Sequence, residues 1–190
     1  MIYYIGDTHF GHRNIIKYDN RPFFTVSEMD EELIKRWNAK VTDDDTVYIL
    51  GDFSWYDNDK SIEILNRLNG KKILIRGNHD THSPLFTEAF ANVYDYAKIK
   101  DDGRWVVLSH YPMPFYDGMY GNDIHFYAHV HVTRDWVEFE GFVDRLRKEY
   151  KLTVPAINVG CMMPWVDYTP RALNEIIAGE AKYRERTKVF

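Results

Sequence analysis

The sequence predicts an α/β fold in which a mixed sheet system carries its helices on the outside. Three observations lead there. Short apolar runs recur along the chain, patterns of helical period lie between several of them in the first half, and hairpin-like strands follow later. Its 190 residues, 45% of them hydrophobic, suffice for a substantial core. No repeat, low-complexity stretch or linker interrupts the pattern, so residues 1–190 read as a single domain.

Strand-like runs fall at residues 2–5, 46–50, 73–76, 105–109, 124–128 and 156–159. After the first, Ser27 opens a capping pattern with Asp30 three residues on, and Met29, Leu33 and Trp37 then repeat every fourth residue on one helix face. Ile62, Leu65 and Leu68 repeat similarly, with Gly70 where a helix stop is expected. Ser83-Pro84 and Thr169-Pro170 each read as an N-cap followed by proline at the first helical position. Asp102-Gly103 reads as a hairpin turn joining residues 93–100 to the next strand. The longest helix candidate is 133–150, whose stripe of Trp136, Phe139, Val143, Leu146 and Tyr150 faces the core or a partner. Residues 182–188 mix charges and read as a solvated tail.

Composition excludes several kinds of function. The apolar runs are far too short for a bilayer span, and the chain opens straight into a strand pattern, so a soluble, unexported protein without a membrane partner is expected. A lone cysteine, Cys161, forms neither an internal disulfide nor a thiolate zinc cluster, which suits the reducing cytoplasm. It reads as a small buried thiol, because the position six residues on, where a cysteine phosphatase needs arginine, is Asp167. A net charge of −5 disfavours long duplex nucleic acid as a partner. Any phosphate-handling site must make its positive charge locally, and nothing in the sequence fixes an oligomeric state.

Of the eight histidines, most stand beside Gly, Asp or Asn at the ends of apolar runs. Asp7 and His9 follow the first run, Asp52 the second, Asn78 and His79 the third, and His110 the fourth, while His129 and His131 lie around the end of the fifth. Loops at the carboxyl ends of strands in an open α/β sheet converge on one edge, so these side chains are expected to meet. Carboxylates, imidazoles and an amide oxygen are hard to borderline donors suited to Mn, Fe or Zn. In Asp-x-His and His-x-His the two side chains point the same way from an extended backbone.

Gly6-Asp7-Thr8-His9, Gly51-Asp52, Gly77-Asn78-His79-Asp80, His110 after an apolar strand, and His129-Val130-His131 together resemble the ordered signatures of the calcineurin-like metallophosphoesterase superfamily. Residues 7–16 further resemble a compact bacterial and phage branch of small phosphoesterases, and residues 157–160 resemble the strand that often follows the last signature. Two departures stand out. Ala128 replaces the glycine usual before His-x-His, and Phe53-Ser54-Trp55-Tyr56 replaces the acidic-arginine signature of the Ser/Thr protein phosphatases, which argues against a phosphoprotein phosphatase.

The resemblance implies two β-sheets packed face to face between helices, a four-layer α/β/β/α sandwich. It implies a dinuclear site of two divalent or trivalent transition metals, Mn or Fe before Zn. Asp7, His9, Asp52 and His131 would bind one ion; Asp52, Asn78, His110 and His129 the other, with Asp52 bridging. Two divalent ions, less two carboxylates and a bridging hydroxide, leave a local charge near +1 that attracts a phosphate anion. His79 is the expected acid toward the leaving group, and Asp80 either steadies His79 or caps a turn. His12 and Arg13 are expected to contact substrate phosphate or to be surface loop residues; His82 and His125 read as structural. Tyr111, Phe115, Tyr116 and Tyr120 either stack a nucleobase or anchor a loop at the pocket rim.

The function so implied is hydrolysis of small phosphodiesters or phosphomonoesters, nucleotide-like ones among them, by attack of a metal-bridging hydroxide. Diesters are expected to react at least as well as monoesters, since no array of arginines near the motifs holds a terminal dianion. The alternatives are a nuclease acting on single-stranded or terminal nucleic acid, and a non-catalytic scaffold of the same fold. The intact ligand set and His79 speak against the scaffold.

Overall fold

Parallel pairing of the first four strands decides where the helices go. The computed structural model describes residues 1–121, 123–152 and 156–187. In it β1 (Ile2–Ile5), β2 (Thr46–Ile49), β3 (Lys71–Ile75) and β4 (Asn92–Tyr94) pair in parallel in the order of the sequence. Their connections carry α1 (Arg13–Tyr18), α2 (Val26–Lys40), α3 (Asn58–Arg67) and the single turn α4 (Pro84–Thr87). Each step moves the same way across the sheet, so right-handed crossovers put these helices on one face and leave the other free. A second sheet covers that face: β5 (Tyr96–Asp101), β6 (Arg104–Ser109), β7 (Ile124–Tyr127) and β8 (Ala156–Asn158), parallel except for the antiparallel pair β5–β6. Then α5 (Arg134–Tyr150) links β7 to β8, and α6 (Leu173–Thr187) packs on β1 and β8.

The sheets meet through apolar side chains, among them Tyr4 and Phe126, both fully buried and edge-on at 4.9 Å. At one side they are stitched by backbone: the Gly6 N–H donates to the Val159 carbonyl and the Cys161 N–H to the Gly6 carbonyl, both at 2.8 Å. That parallel bridge brings the carboxyl ends of β1 and β8, and hence of both sets of parallel strands, to one edge of the molecule. The loops that should carry chemistry therefore lie together.

Several local expectations change. The run 93–100 is not one hairpin arm: at Asp95 the chain leaves the first sheet, β4 ending at Tyr94, and β5 begins the second at Tyr96. The hairpin turn itself forms as expected, with Asp102 and Gly103 both at positive φ between paired Asp101 and Arg104. The cap of α2 is Thr25, whose side chain accepts from the Glu28 N–H while Glu28 accepts from the Phe24 N–H, a reciprocal box two residues before Ser27. Asp30 turns inward instead and accepts from the Gly11 N–H and the Tyr56 hydroxyl. Thr169-Pro170 opens no helix, because Arg171 is held against Tyr4 in an antiparallel bridge and α6 starts at Leu173. Residues 182–187 are helical rather than a tail, since Arg184 pairs with Glu140 and Glu180; Lys188 lies outside the described residues.

Candidate metal centre

Five of the seven expected ligands leave their strands in left-handed turns, so Asp-x-His and His-x-His are not on the extended backbone that their spacing suggested. Asp7, His9, Asp52, His129 and His131 all have φ between 46° and 67°. A residue with a Cβ bears about 1–3 kcal/mol of strain there, and such residues cluster where a site over-determines the backbone. Two glycines let the side chains close in. A Cβ on Gly51 would lie 2.3 Å from His110 Nδ1, and one on Gly77 would lie 2.3 Å from Asp52 Oδ1.

Two groups of ligand atoms result. Asp7, His9 and His131 offer atoms within 4.8 Å of one another, as do Asp52, His110 and His129. In the first group His9 Nε2 faces His131 Nε2 at 3.3 Å. In the second, His110 Nε2 stands 3.2 Å from His129 Nδ1 and 3.0 Å from Asn78 Oδ1. Asp52 Oδ2 lies between the groups, 3.7 Å from His9 Nε2 and 3.7 Å from His110 Nε2. All seven expected ligands are thus brought together, Asp7, His9, Asp52 and His110 buried, His129 and His131 half-buried and Asn78 exposed.

The donor set fits metal ions. His110 Nδ1 is 2.8 Å from the Leu50 carbonyl, which only accepts, so Nδ1 carries the proton and Nε2 presents a lone pair. His131 Nδ1 is likewise 2.7 Å from Asp19 Oδ1. Lone pairs of imidazole, carboxylate and amide facing one another at these distances repel unless a ring proton or a metal ion lies between them, so the cluster can take metal ions in place of ring protons. Burial lowers the pKa of His9 and of His129, which keeps those rings in the neutral, ligating form. Burial would lower His131 too, but Asp19 and Asp7 outweigh it and leave it raised. Burial also pushes Asp7 up to about 6, despite the nearby imidazoles.

Asp80 takes the turn-capping role. Its oxygens accept from the N–H groups of Asp52 and Phe53 at 2.9 Å and of Gly77 at 2.8 Å, so it fixes the Asp52 loop and not the His79 ring. The His79 N–H donates to Asp52 Oδ1 at 2.9 Å. Its ring is exposed, packs on Trp55 at 4.2 Å and lines a cleft of about 530 Å³. His12 lines the same cleft, stacked on Trp55 at 4.0 Å; Arg13, exposed at the start of α1, is not among the lining residues. No lysine or arginine is among those lining residues.

Of the aromatic stretch, Tyr111 packs against His129 at 4.4 Å, whereas Phe115, Tyr116 and Tyr120 anchor the loop on Phe142, His125 and Tyr150. His125 is buried and structural, accepting from the Met113 N–H and donating to the Val107 carbonyl; His82 is exposed beyond the cleft. Cys161 is the buried thiol expected, its pKa pushed up to about 12 by burial. Sequence reasoning missed Asp19, Arg21 and the part Trp55 plays in the wall. A charged pair just before Pro22, two residues apart, was the available signal, and it looks the same as a solvated pair.

The sequence profile of the calcineurin-like phosphoesterases matches residues 1–149. The chain belongs to that family. It is a metal-dependent phosphoric ester hydrolase, and the two Asp/His groups together with the family point to a dinuclear site. This phosphoesterase is 40% identical over 159 residues to an uncharacterised protein of Methanocaldococcus jannaschii, 83% of each chain being covered. A protein of unknown function from Aquifex aeolicus, known by its crystal structure, is 32% identical with a TM-score of 0.70, over 93% of this chain and 97% of that one. The Gene 66 protein of Mycobacterium phage L5 is 34% identical over 111 residues, 57% of this chain and 49% of the phage protein, so the match spans about half of that relative. No helix of the described residues is long and apolar enough to cross a membrane.

Proposed function

We propose that this phosphoesterase holds two transition-metal ions, manganese or iron before zinc, and hydrolyses small phosphodiesters at least as well as phosphomonoesters, nucleotide-like ones among them, in the cytoplasm. The position of Asp52 Oδ2, equally 3.7 Å from a histidine of each group, carries this reading. Asp7, His9, Asp52 and His131 hold one ion; Asp52, Asn78, His110 and His129 hold the other. When bound, the ions supply Lewis acidity and lower the pKa of a shared water.

The chain's own residues do the rest. Asp52 offers Oδ2 to both groups because Oδ1 is engaged by the His79 N–H. Asn78 adds an oxygen without adding negative charge, which leaves the site attractive to a phosphate anion. His79 delivers a proton to the leaving oxygen from the cleft wall, and His12 meets the substrate beside it. Arg13 reaches only a substrate that extends past the cleft. With no lysine or arginine among the lining residues, a diester monoanion is better matched than a monoester dianion.

His79→Ala tests the chemistry. Both ions should remain bound, and kcat should fall by about 10²–10⁴ on an alkyl or nucleoside ester and by less on a nitrophenyl ester, whose leaving group needs little help. Equal losses on both, with metal retained, would make His79 a substrate-orienting residue. Metal lost in parallel with activity would make it a ligand or a structural residue. Comparing kcat/KM for matched aryl mono- and diesters under one metal tests the substrate preference, and a strong monoester preference would reverse it.

A further inference from the structure

Beneath the Asp7 group lies a buried ion pair that reaches both sheets. The helix α1 ends at Tyr18 and returns Asp19 under the ligand loop, and Asn20 at φ 50° then turns Arg21 inward. The Arg21 side chain has no exposed surface and that of Asp19 is 4% exposed. Arg21 donates through Nε and Nη2 to Asp19 Oδ2 at 3.1 and 3.0 Å, through Nη2 to the Asp7 carbonyl at 2.8 Å, and through Nη1 to the Thr8 carbonyl at 2.9 Å. The other oxygen of Asp19 takes the His131 Nδ1–H at 2.7 Å.

A buried guanidinium beside a cation site should repel the ions. Asp19 cancels its charge, so the pair adds rigidity without adding field. The forked, five-donor guanidinium makes four hydrogen bonds at once to two carbonyls and a carboxylate, one more than the three N–H groups of a lysine could supply. In the second group, by contrast, the His110 ring is oriented by the neutral Leu50 carbonyl. An imidazole whose far nitrogen donates to a carboxylate is held in one tautomer and is the more basic ligand.

From this geometry we infer that Asp19 and Arg21 are positioning residues for the Asp7/His9/His131 group alone, fixing the tautomer of His131 and the place of Asp7 so that this group binds its metal more tightly than the other. The inference rests on the proposal that these residues are ligands, and its test separates the two. Wild-type protein titrated with Mn²⁺ alone should take two ions per chain; failure there sinks the ligand assignment itself. Asp19→Asn, which keeps the shape, and Asp19→Ala should each weaken one of the two ions by about 10–100-fold and leave the other within about threefold. In metal-free protein at alkaline pH, where the rings are neutral, ¹⁵N chemical shifts of the histidine rings should show His131 as the Nδ1–H form in the wild type and as a mixture of tautomers in Asp19→Ala, with His110 unchanged. Arg21→Lys should reproduce the selective loss in milder form. Equal weakening of both ions, or an unchanged His131 tautomer with unchanged affinities, would overturn the inference.

Discussion

The two sheets contribute unequally to the metal centre. Loops of the first sheet bring both carboxylates, Asp7 and Asp52, and are gripped from within: Asp80 takes three backbone N–H groups around Asp52, and Arg21 holds the carbonyls of residues 7 and 8. Loops of the second sheet bring His110, His129 and His131, and two of those rings borrow their orienting acceptor from the first half of the chain, Leu50 for His110 and Asp19 for His131. One half is thus a pre-set frame and the other is steered by it. Damage to the frame should cost fold and metal together, whereas damage on the steered side should cost metal alone.

Asp52→Asn should have the largest effect, because it removes negative charge from the one oxygen that faces both groups while leaving the His79 N–H an amide oxygen to bond. Metal retained after saturation with Mn²⁺ and gel filtration should fall below one ion per chain, with activity down by more than the roughly 10–100-fold that a supporting residue costs. Elemental analysis and turnover on the same samples decide it; normal occupancy would break the idea of a bridge. His129→Ala, on the steered side, should lose one ion and leave the unfolding midpoint of the metal-free protein nearly unchanged.

Next in size is the contrast between neighbours. Asp80→Ala leaves three buried N–H groups without an acceptor and should destabilise the metal-free protein by about 3 kcal/mol in urea unfolding, since each orphaned donor costs about 1–3 kcal/mol and some will recover water. His79→Ala, one residue away and exposed, should stay within about 0.5 kcal/mol of the wild type. Similar stability for both variants would mean that Asp80 is not the frame.

How much of this is legible in a sequence follows from the same contrast. Asp7, Asp52, Asn78, His110 and His129 stand within two residues of the end of an apolar run, so strand-end geometry places them before any contact is known. Asp19 could not be assigned to His131, because 112 residues separate them and only the stacking of the two sheets brings them together. The switch of sheets at Asp95 was hidden for a related reason. Tyr94-Asp95-Tyr96 continues the alternation of a strand, with no glycine or proline at the crossing.

Two kinds of histidine can also be told apart by pH. His125 is buried on β7, and burial lowers its pKa to about 4, outweighing the Val107 carbonyl at its ring, which raises it. The folded state then binds fewer protons than the unfolded state between about pH 4 and 6.5, so this residue's contribution to stability falls as pH falls through that window. Relative to His125→Gln, the metal-free wild type should lose about 2 kcal/mol between pH 7.5 and 5, a difference in which the titration of Asp7 cancels. Parallel curves for the two proteins would remove His125 from the buried, neutral class.

The smallest effect should come from Ala128, where this chain departs from the glycine usual in its family. Its methyl group is fully buried and occupies the space over Gly6, where a Cβ would lie only 2.7 Å away. The two positions are therefore complementary, one lacking a side chain so that the other can have one, at the point where the loops of the two sheets cross. Ala128→Gly removes a buried methyl worth about 0.8 kcal/mol and adds unfolded-chain freedom, so a loss of about 1–1.5 kcal/mol in urea unfolding is expected. The next residue, His129, is tied to Asp7 by its own N–H at 3.0 Å from Oδ2, so the ligands should keep their spacing and both Mn²⁺ affinities should hold. If either affinity moves tenfold, the methyl sets the distance between the frame and the steered loops, and the division between them is less sharp than the hydrogen bonds alone imply.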